Sequence, residues 1–160
     1  MSSETLITDG LRKLVGTQQD LSIYRVEEGS VIRYAKAIDD PNPLFNDPEY
    51  AGNSRYGRII CPPGFFGWAM KCDDLPALKV LENMYAAGAP RGVLDAGVDY
   101  EFFLPVGAGD VLTSIMTIED VTERDTKMGK TLVTTVLTQY INQNGNLVGT
   151  ATIRFMNFRM

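Results

Sequence analysis

Apolar residues recur at helical spacing along the first part of this chain and alternate along its last 65 residues. Ile7, Leu11 and Leu14 fall at i, i+4 and i+7 and predict a helix over 4–15, weakened by Gly10. LSIYRVE (Leu21–Glu27) alternates and predicts a strand. A second helix is predicted over 30–38, with Ser30 as N-cap and Val31, Ala35 and Ile38 on one apolar face. Arg33 and Lys36 lie on its other side, and Pro41 and Pro43 force it to end, because proline disfavours helical geometry in the residue before it. DPEYA (Asp47–Ala51) predicts a short helical turn with Asp47 as cap and Pro48 in first place. In RIICPPGFFGWAMK, Pro62 or Pro63 can open a helix whose body, Phe65–Met70, is apolar all round, as expected of a segment buried in a core with Trp68 inside it. Residues 72–92 carry no clean period.

Alternation then takes over. Val98, Tyr100, Phe102 and Leu104 share one face of a strand, with Asp99 and Glu101 on the other. VGAGD (Val106–Asp110) is a turn, and the next strand runs through Leu112, Met116 and Ile118. KTLVTTVLTQYI is rich in β-branched residues, and Asn144-Gly145 marks a hairpin before a last strand with Leu147, Ala151, Ile153 and Phe155 on one face. These strands, read as a row joined by short turns, form with the early strand an antiparallel sheet of five. The expectation is an α+β fold: one domain over 1–160, a curved sheet wrapped around a central apolar helix.

Composition narrows the chemistry. No apolar run approaches the roughly 18 residues that cross a bilayer, and MSSETLITDG lacks the basic and apolar regions of a secretory signal, so a cytoplasmic protein is expected. A net charge of −5 argues against nucleic acid or an anionic membrane as partner. Two cysteines, Cys61 and Cys72, are too few for a disulfide framework or a zinc cluster; no metal is expected and both read as reduced thiols. The chain has no histidine, so the commonest general base near neutral pH is missing. Carboxylates, tyrosines, backbone amides or a partner must carry any proton chemistry.

Against that background AIDDPNPLFND (Ala37–Asp47) crowds acids, prolines and asparagines into one turn, with the aromatic Phe45 interrupting it. A helix, this segment, RYGRIICPPGFF and then a long antiparallel sheet resemble the MaoC-like dehydratases of the hot-dog fold, which include the (R)-specific enoyl-CoA hydratases. The family's signature reads glycine–aspartate–any–asparagine–proline–aliphatic–histidine. Laid on Asp39–Phe45, it matches at Asp40, Asn42, Pro43 and Leu44, and Phe45 stands where the catalytic histidine belongs. DYEFFLPVGAGDVLTSI extends the resemblance to the N-terminal-domain type of the family.

The resemblance implies an acyl-CoA ligand and no cofactor beyond that thioester. It implies that Asp40 is the catalytic carboxylate. Asn42, Pro43, Phe45, Tyr56, Gly57, Pro63 and Gly64 would line the ligand site, Gly64 offering an amide to the thioester oxygen. Arg55 and Arg58 would meet the phosphates of coenzyme A. Phenylalanine cannot transfer a proton. The expected role is therefore the substrate-binding, catalytically degenerate subunit of an acyl-CoA hydratase or dehydratase, its partner being a second MaoC-like chain with the intact aspartate–histidine pair. A homodimer, a stand-alone thioesterase or hydratase using Asp40, and a non-enzymatic acyl-CoA-binding protein are the alternatives. Asp40 also fits a plain turn-capping role.

Overall fold

The structure is a computed structural model that describes residues 5–67 and 76–160. Five strands form one antiparallel sheet: β1 (Gln18–Arg25), β2 (Gly92–Phe102), β3 (Val111–Thr126), β4 (Gly129–Asn142) and β5 (Leu147–Phe158). Their order is β1-β3-β4-β5-β2. The helices are α1 (Asp9–Leu14), α2 (Glu28–Ala37), α3 (Pro43–Asn46), α4 (Pro48–Gly52) and α5 (Pro76–Ala86).

The expected sheet of five is present, but its strands are not a simple row. β3, β4 and β5 form a meander, whereas β2 pairs with β5, so the link from β2 to β3 must carry the chain from one side of the sheet to the other. The free edge of β3 is taken by β1, with Leu21 opposite Ile115 and Tyr24 opposite Leu112. Leu104 lies beyond the end of β2 rather than on its face.

α1 is shorter than predicted: Thr8 caps it through a hydrogen bond from the Leu11 N–H, and the preceding residues are held by Glu123 instead of by helical bonds. α2 starts at Glu28 rather than at Ser30, whose hydroxyl accepts from Arg33 Nη2 at 3.0 Å. α4 begins as expected, with the Asp47 carboxylate accepting from the Glu49 and Tyr50 N–H groups and Pro48 in the first turn.

The predicted central helix does not begin where expected. Phe65–Gly67 is not helical, because Gly64 (φ +85°) and Gly67 (φ +68°) place left-handed backbone on either side of the two phenylalanines. Trp68 to Met70, like Cys72, lies outside the described residues. The helix seen on the sheet is α5, in a stretch whose sequence showed no period. It buries Val80 and Met84 against Leu11, Ile118, Leu132 and Val136. A second cluster sits nearer the cleft described below: Val26, Val31, Ile59, Phe65, Phe66, Leu112 and Val148.

Candidate functional site

The Asp40 segment is built from short self-capping turns. The Asp40 Oδ1 accepts from the Asn42 N–H at 2.9 Å, and the Asn42 Oδ1 accepts from the Leu44 N–H at 3.1 Å. Asn46 Nδ2 donates back to the Asp40 carbonyl at 3.0 Å. These are the local bonds that asparagine and aspartate make in turns and helix caps. Asn42 thereby starts α3 with Pro43 in its first turn, and α3 carries Phe45 into the interior at 8% exposure. Asp40 thus has the capping role that its sequence allowed.

This segment is tied to the centre of the fold. The Ile60 N–H donates to the Leu44 carbonyl at 3.1 Å. The Cys61 N–H donates to the Val106 carbonyl at 2.8 Å, and the Ala108 N–H to the Ile59 carbonyl at 2.9 Å. Three stretches, 43–46, 59–61 and 106–108, are therefore laced together. Asp110 locks the lacing. Its carboxylate takes a two-pronged bond from Arg58 (2.9 and 2.8 Å), with further donors in the Gly107 N–H (3.0 Å) and Gln143 Nε2 (3.1 Å). Burial pushes the Asp110 pKa up, but these bonds and the Arg58 charge outweigh it and hold the carboxylate below its usual range.

Beside the lacing lies a cleft of about 340 Å³. It is lined by Tyr56, residues 60–63, Phe65 and Phe66 from one stretch of chain and by Phe102 to Val106 from another. Phe66, buried at the cleft lining, stacks on Tyr140 at 4.0 Å and on Phe102 at 5.2 Å between ring centroids. Tyr24 donates to the Phe66 carbonyl at 3.0 Å and so fixes the backbone beneath that ring. Burial pushes the Tyr24 and Tyr140 hydroxyls up, so both stay protonated at neutral pH. The Cys61 thiol is pushed up to about 12, by burial first and by Asp110 next, which leaves almost no thiolate at neutral pH.

The sequence-predicted residues are brought together only in part. Tyr56 and Pro63 line the cleft, and Gly64 sits between Pro63 and Phe65. Asp40, Asn42, Pro43 and Phe45 form the neighbouring turn, joined through Leu44 and Ile60. Gly57 lies in the exposed loop before Arg58. Arg58 has an internal partner in Asp110, which its guanidinium meets with two nitrogens. Arg55 is exposed and lies over the Tyr56 ring, 4.7 Å from its centroid, at the rim of the cleft. The Asp110 centre and the tyrosines around Phe66 were not singled out from the sequence. Their signals were present in VGAGD and in seven tyrosines on a chain without histidine. Among the described residues no cluster of side chains could hold a metal ion, and no helix is long and apolar enough to cross a membrane.

Comparison with known proteins gives this geometry a context. The family described as "FAS1-like, dehydratase domain region" matches residues 13–151. A UPF0336 protein of Streptomyces avermitilis is 32% identical over 99 residues, 61% of this chain and 63% of its own length. The matched stretch thus spans under two thirds of that relative. Among solved structures, a MaoC-like dehydratase from Rhodospirillum rubrum superposes with a TM-score of 0.61 at 25% identity, covering 94% of this chain and 97% of its own. The HadBC 3R-hydroxyacyl-ACP dehydratase complex of Mycobacterium tuberculosis gives 0.68 at 22% identity, covering 89% and 96%. At that identity the likeness to HadBC is one of fold.

Proposed function

Because the chain belongs to the FAS1-like dehydratase-region family, with the MaoC-like hot-dog fold, we propose that it is the acyl-binding subunit of an enoyl-CoA hydratase or dehydratase whose proton transfers are made by a partner. One observation carries this reading: the Asp40 turn keeps its internal bonds while Phe45 is buried at the position of the signature's histidine. A loop kept for catalysis alone would not survive with its proton carrier replaced by a hydrocarbon ring. A loop that shapes a binding wall would.

Hydration of an enoyl thioester needs a base to activate water, an acid to protonate the α-carbon and donors for the oxygen that gains charge. Asp40 is a carboxylate with one oxygen committed to the Asn42 N–H. With no histidine beside it, it lacks the second member of the pair, and losing one member of such a pair costs orders of magnitude in rate. The aromatic and proline-lined cleft suits the apolar acyl part of a thioester, and Arg55 at its rim suits a phosphate. The partner surface is supported by β2, an edge strand that leaves Leu94, Val98, Tyr100 and Phe102 exposed, with Phe103 and Leu104 following.

The test is reconstitution. The chain is purified from its native cells with whatever co-purifies, and hydration of crotonyl-CoA is followed for the chain alone and for the assembly. The expected result is a second MaoC-like chain with an intact aspartate–histidine pair in near-equal amount, with activity only in the assembly. A chain recovered alone that hydrates crotonyl-CoA at full rate, and loses that rate in Asp40→Asn, overturns the division of labour in favour of a stand-alone enzyme.

A further inference from the structure

We propose that the Tyr34 hydroxyl is a hydrogen-bond donor to the carbonyl oxygen of the bound thioester, acting beside the Gly64 N–H. The proposal rests on the acyl-thioester reading of the same cleft and adds a residue to it. A side-chain carbon built on Gly64 would meet one atom within 4 Å among the described residues, the Tyr34 hydroxyl oxygen at 3.6 Å. Among the described residues, the Tyr34 hydroxyl therefore borders the Gly64 turn. Pro63 and Phe65, on either side of Gly64, line the cleft.

Tyr34 is held for such a task. Its ring stacks on Phe65 with centroids 4.3 Å apart and planes 10° from parallel. It stands on α2, and the next residue, Ala35, accepts at its carbonyl from the Asp40 N–H at 2.9 Å. One helix end thus sets both the hydroxyl and the Asp40 turn. Tyr34 is half-buried, and among the described residues its hydroxyl makes no hydrogen bond.

Of the phenols nearby, Tyr24 is engaged, its hydroxyl donating to the Phe66 carbonyl at 3.0 Å. Tyr100 lies within electrostatic reach of Tyr34, and burial, Tyr34 and Asp95 all push the Tyr100 hydroxyl up.

The test separates the carbonyl from the rest of the ligand. Binding of butyryl-CoA is compared by calorimetry with that of S-butyl-CoA, the thioether that lacks only the carbonyl oxygen, for the wild-type assembly and for Tyr34→Phe. Wild type is expected to prefer the thioester by about three- to tenfold, the weight of one neutral hydrogen bond. Tyr34→Phe keeps the ring on Phe65 and an unchanged melting temperature but loses the preference. Tyr100→Phe retains it. A preference that survives in Tyr34→Phe overturns the assignment, as does a wild type that binds both compounds equally; in either case the acyl-CoA reading stands. If neither compound binds, that reading falls and takes the Tyr34 assignment with it.

Discussion

The sheet has two interiors of different chemistry. Under α5 the packing is mainly aliphatic: Leu11, Val80, Met84, Ile118, Leu132 and Val136 are all fully buried, with Phe155 beside them and Tyr85 at the margin. Around Phe66 it is aromatic and mixed: Tyr24, Tyr34 and Tyr140 bring hydroxyls into an apolar setting, and the cluster opens into a cleft. The first kind of packing gives stability and little else. The second gives less shielding but sets phenol hydroxyls beside an open cleft, and the proposed binding site lies in that half.

Two truncations should separate the halves, and they carry the largest expected effects. Phe66→Ala should cost about 3–5 kcal/mol in urea unfolding and abolish binding of butyryl-CoA, because Phe66 is both a core residue and a lining residue of the cleft. Met84→Ala should cost about 2–5 kcal/mol and leave the affinity unchanged in the folded fraction. Equal loss of affinity in both variants would mean that the two interiors act as one unit.

Asp110 sharpens the contrast, since it is the ionic centre on the cleft side. Asp110→Asn keeps the shape but takes the charge from beneath Arg58, whose guanidinium is part-exposed and still reaches water. A loss of about 1–3 kcal/mol is expected, at the lower end of what buried pairs show. The pH dependence follows from the sign. Asp110 titrates lower in the folded chain than in the unfolded one, so its contribution is present above about pH 4 and is lost as pH falls through the folded value. Urea midpoints measured from neutral pH downward should fall in wild type and fall less steeply in Asp110→Asn. Parallel slopes would show that other carboxylates, Glu123 among them, dominate the acid limb.

How much of this was legible beforehand depends on whether a feature is local. The five strands, the Asp47 cap and the Asp40 turn were readable because alternation, proline and capping residues act over a few positions. The strand order was not, because nothing local says that β2 will pair with β5 instead of β3. Phe65-Phe66 looked helical because both residues and their neighbours are apolar, and the conformations of Gly64 and Gly67 overrode that pattern. α5 was missed for the reverse reason: Lys79, Glu82 and Asn83 broke up its apolar face, although Lys79 pairs with Asp20 and Asn83 bonds Gln19 on β1. For the site, the sequence located the turn and the proline-glycine corner. Tyr34, thirty residues upstream of Gly64, becomes its neighbour only through the fold.

The smallest predicted effect concerns how the two sides end their helices. α5 closes through Gly88 at φ +99°, with the Ala89 N–H donating to the Met84 carbonyl at 2.9 Å. α2 closes by the same six-residue bond, Asp40 N–H to the Ala35 carbonyl at 2.9 Å, but the left-handed residue is Asp39 at φ +54°. A side chain there costs about 1 kcal/mol, partly offset by the greater freedom that glycine loses on folding. Asp39→Gly, which also restores the glycine of the resembled signature, should therefore stabilise the chain by about 0.5 kcal/mol without altering ligand binding. Gly88→Asp should lose more than that exchange gains, since its added carbon would meet the Thr8 methyl at 3.0 Å. Thermal melts of the two variants and of the double exchange decide the matter. A destabilised Asp39→Gly would mean that the Asp39 carboxylate itself supports the turn, and that the aspartate at the end of α2 is a component of the site rather than a tolerated strain.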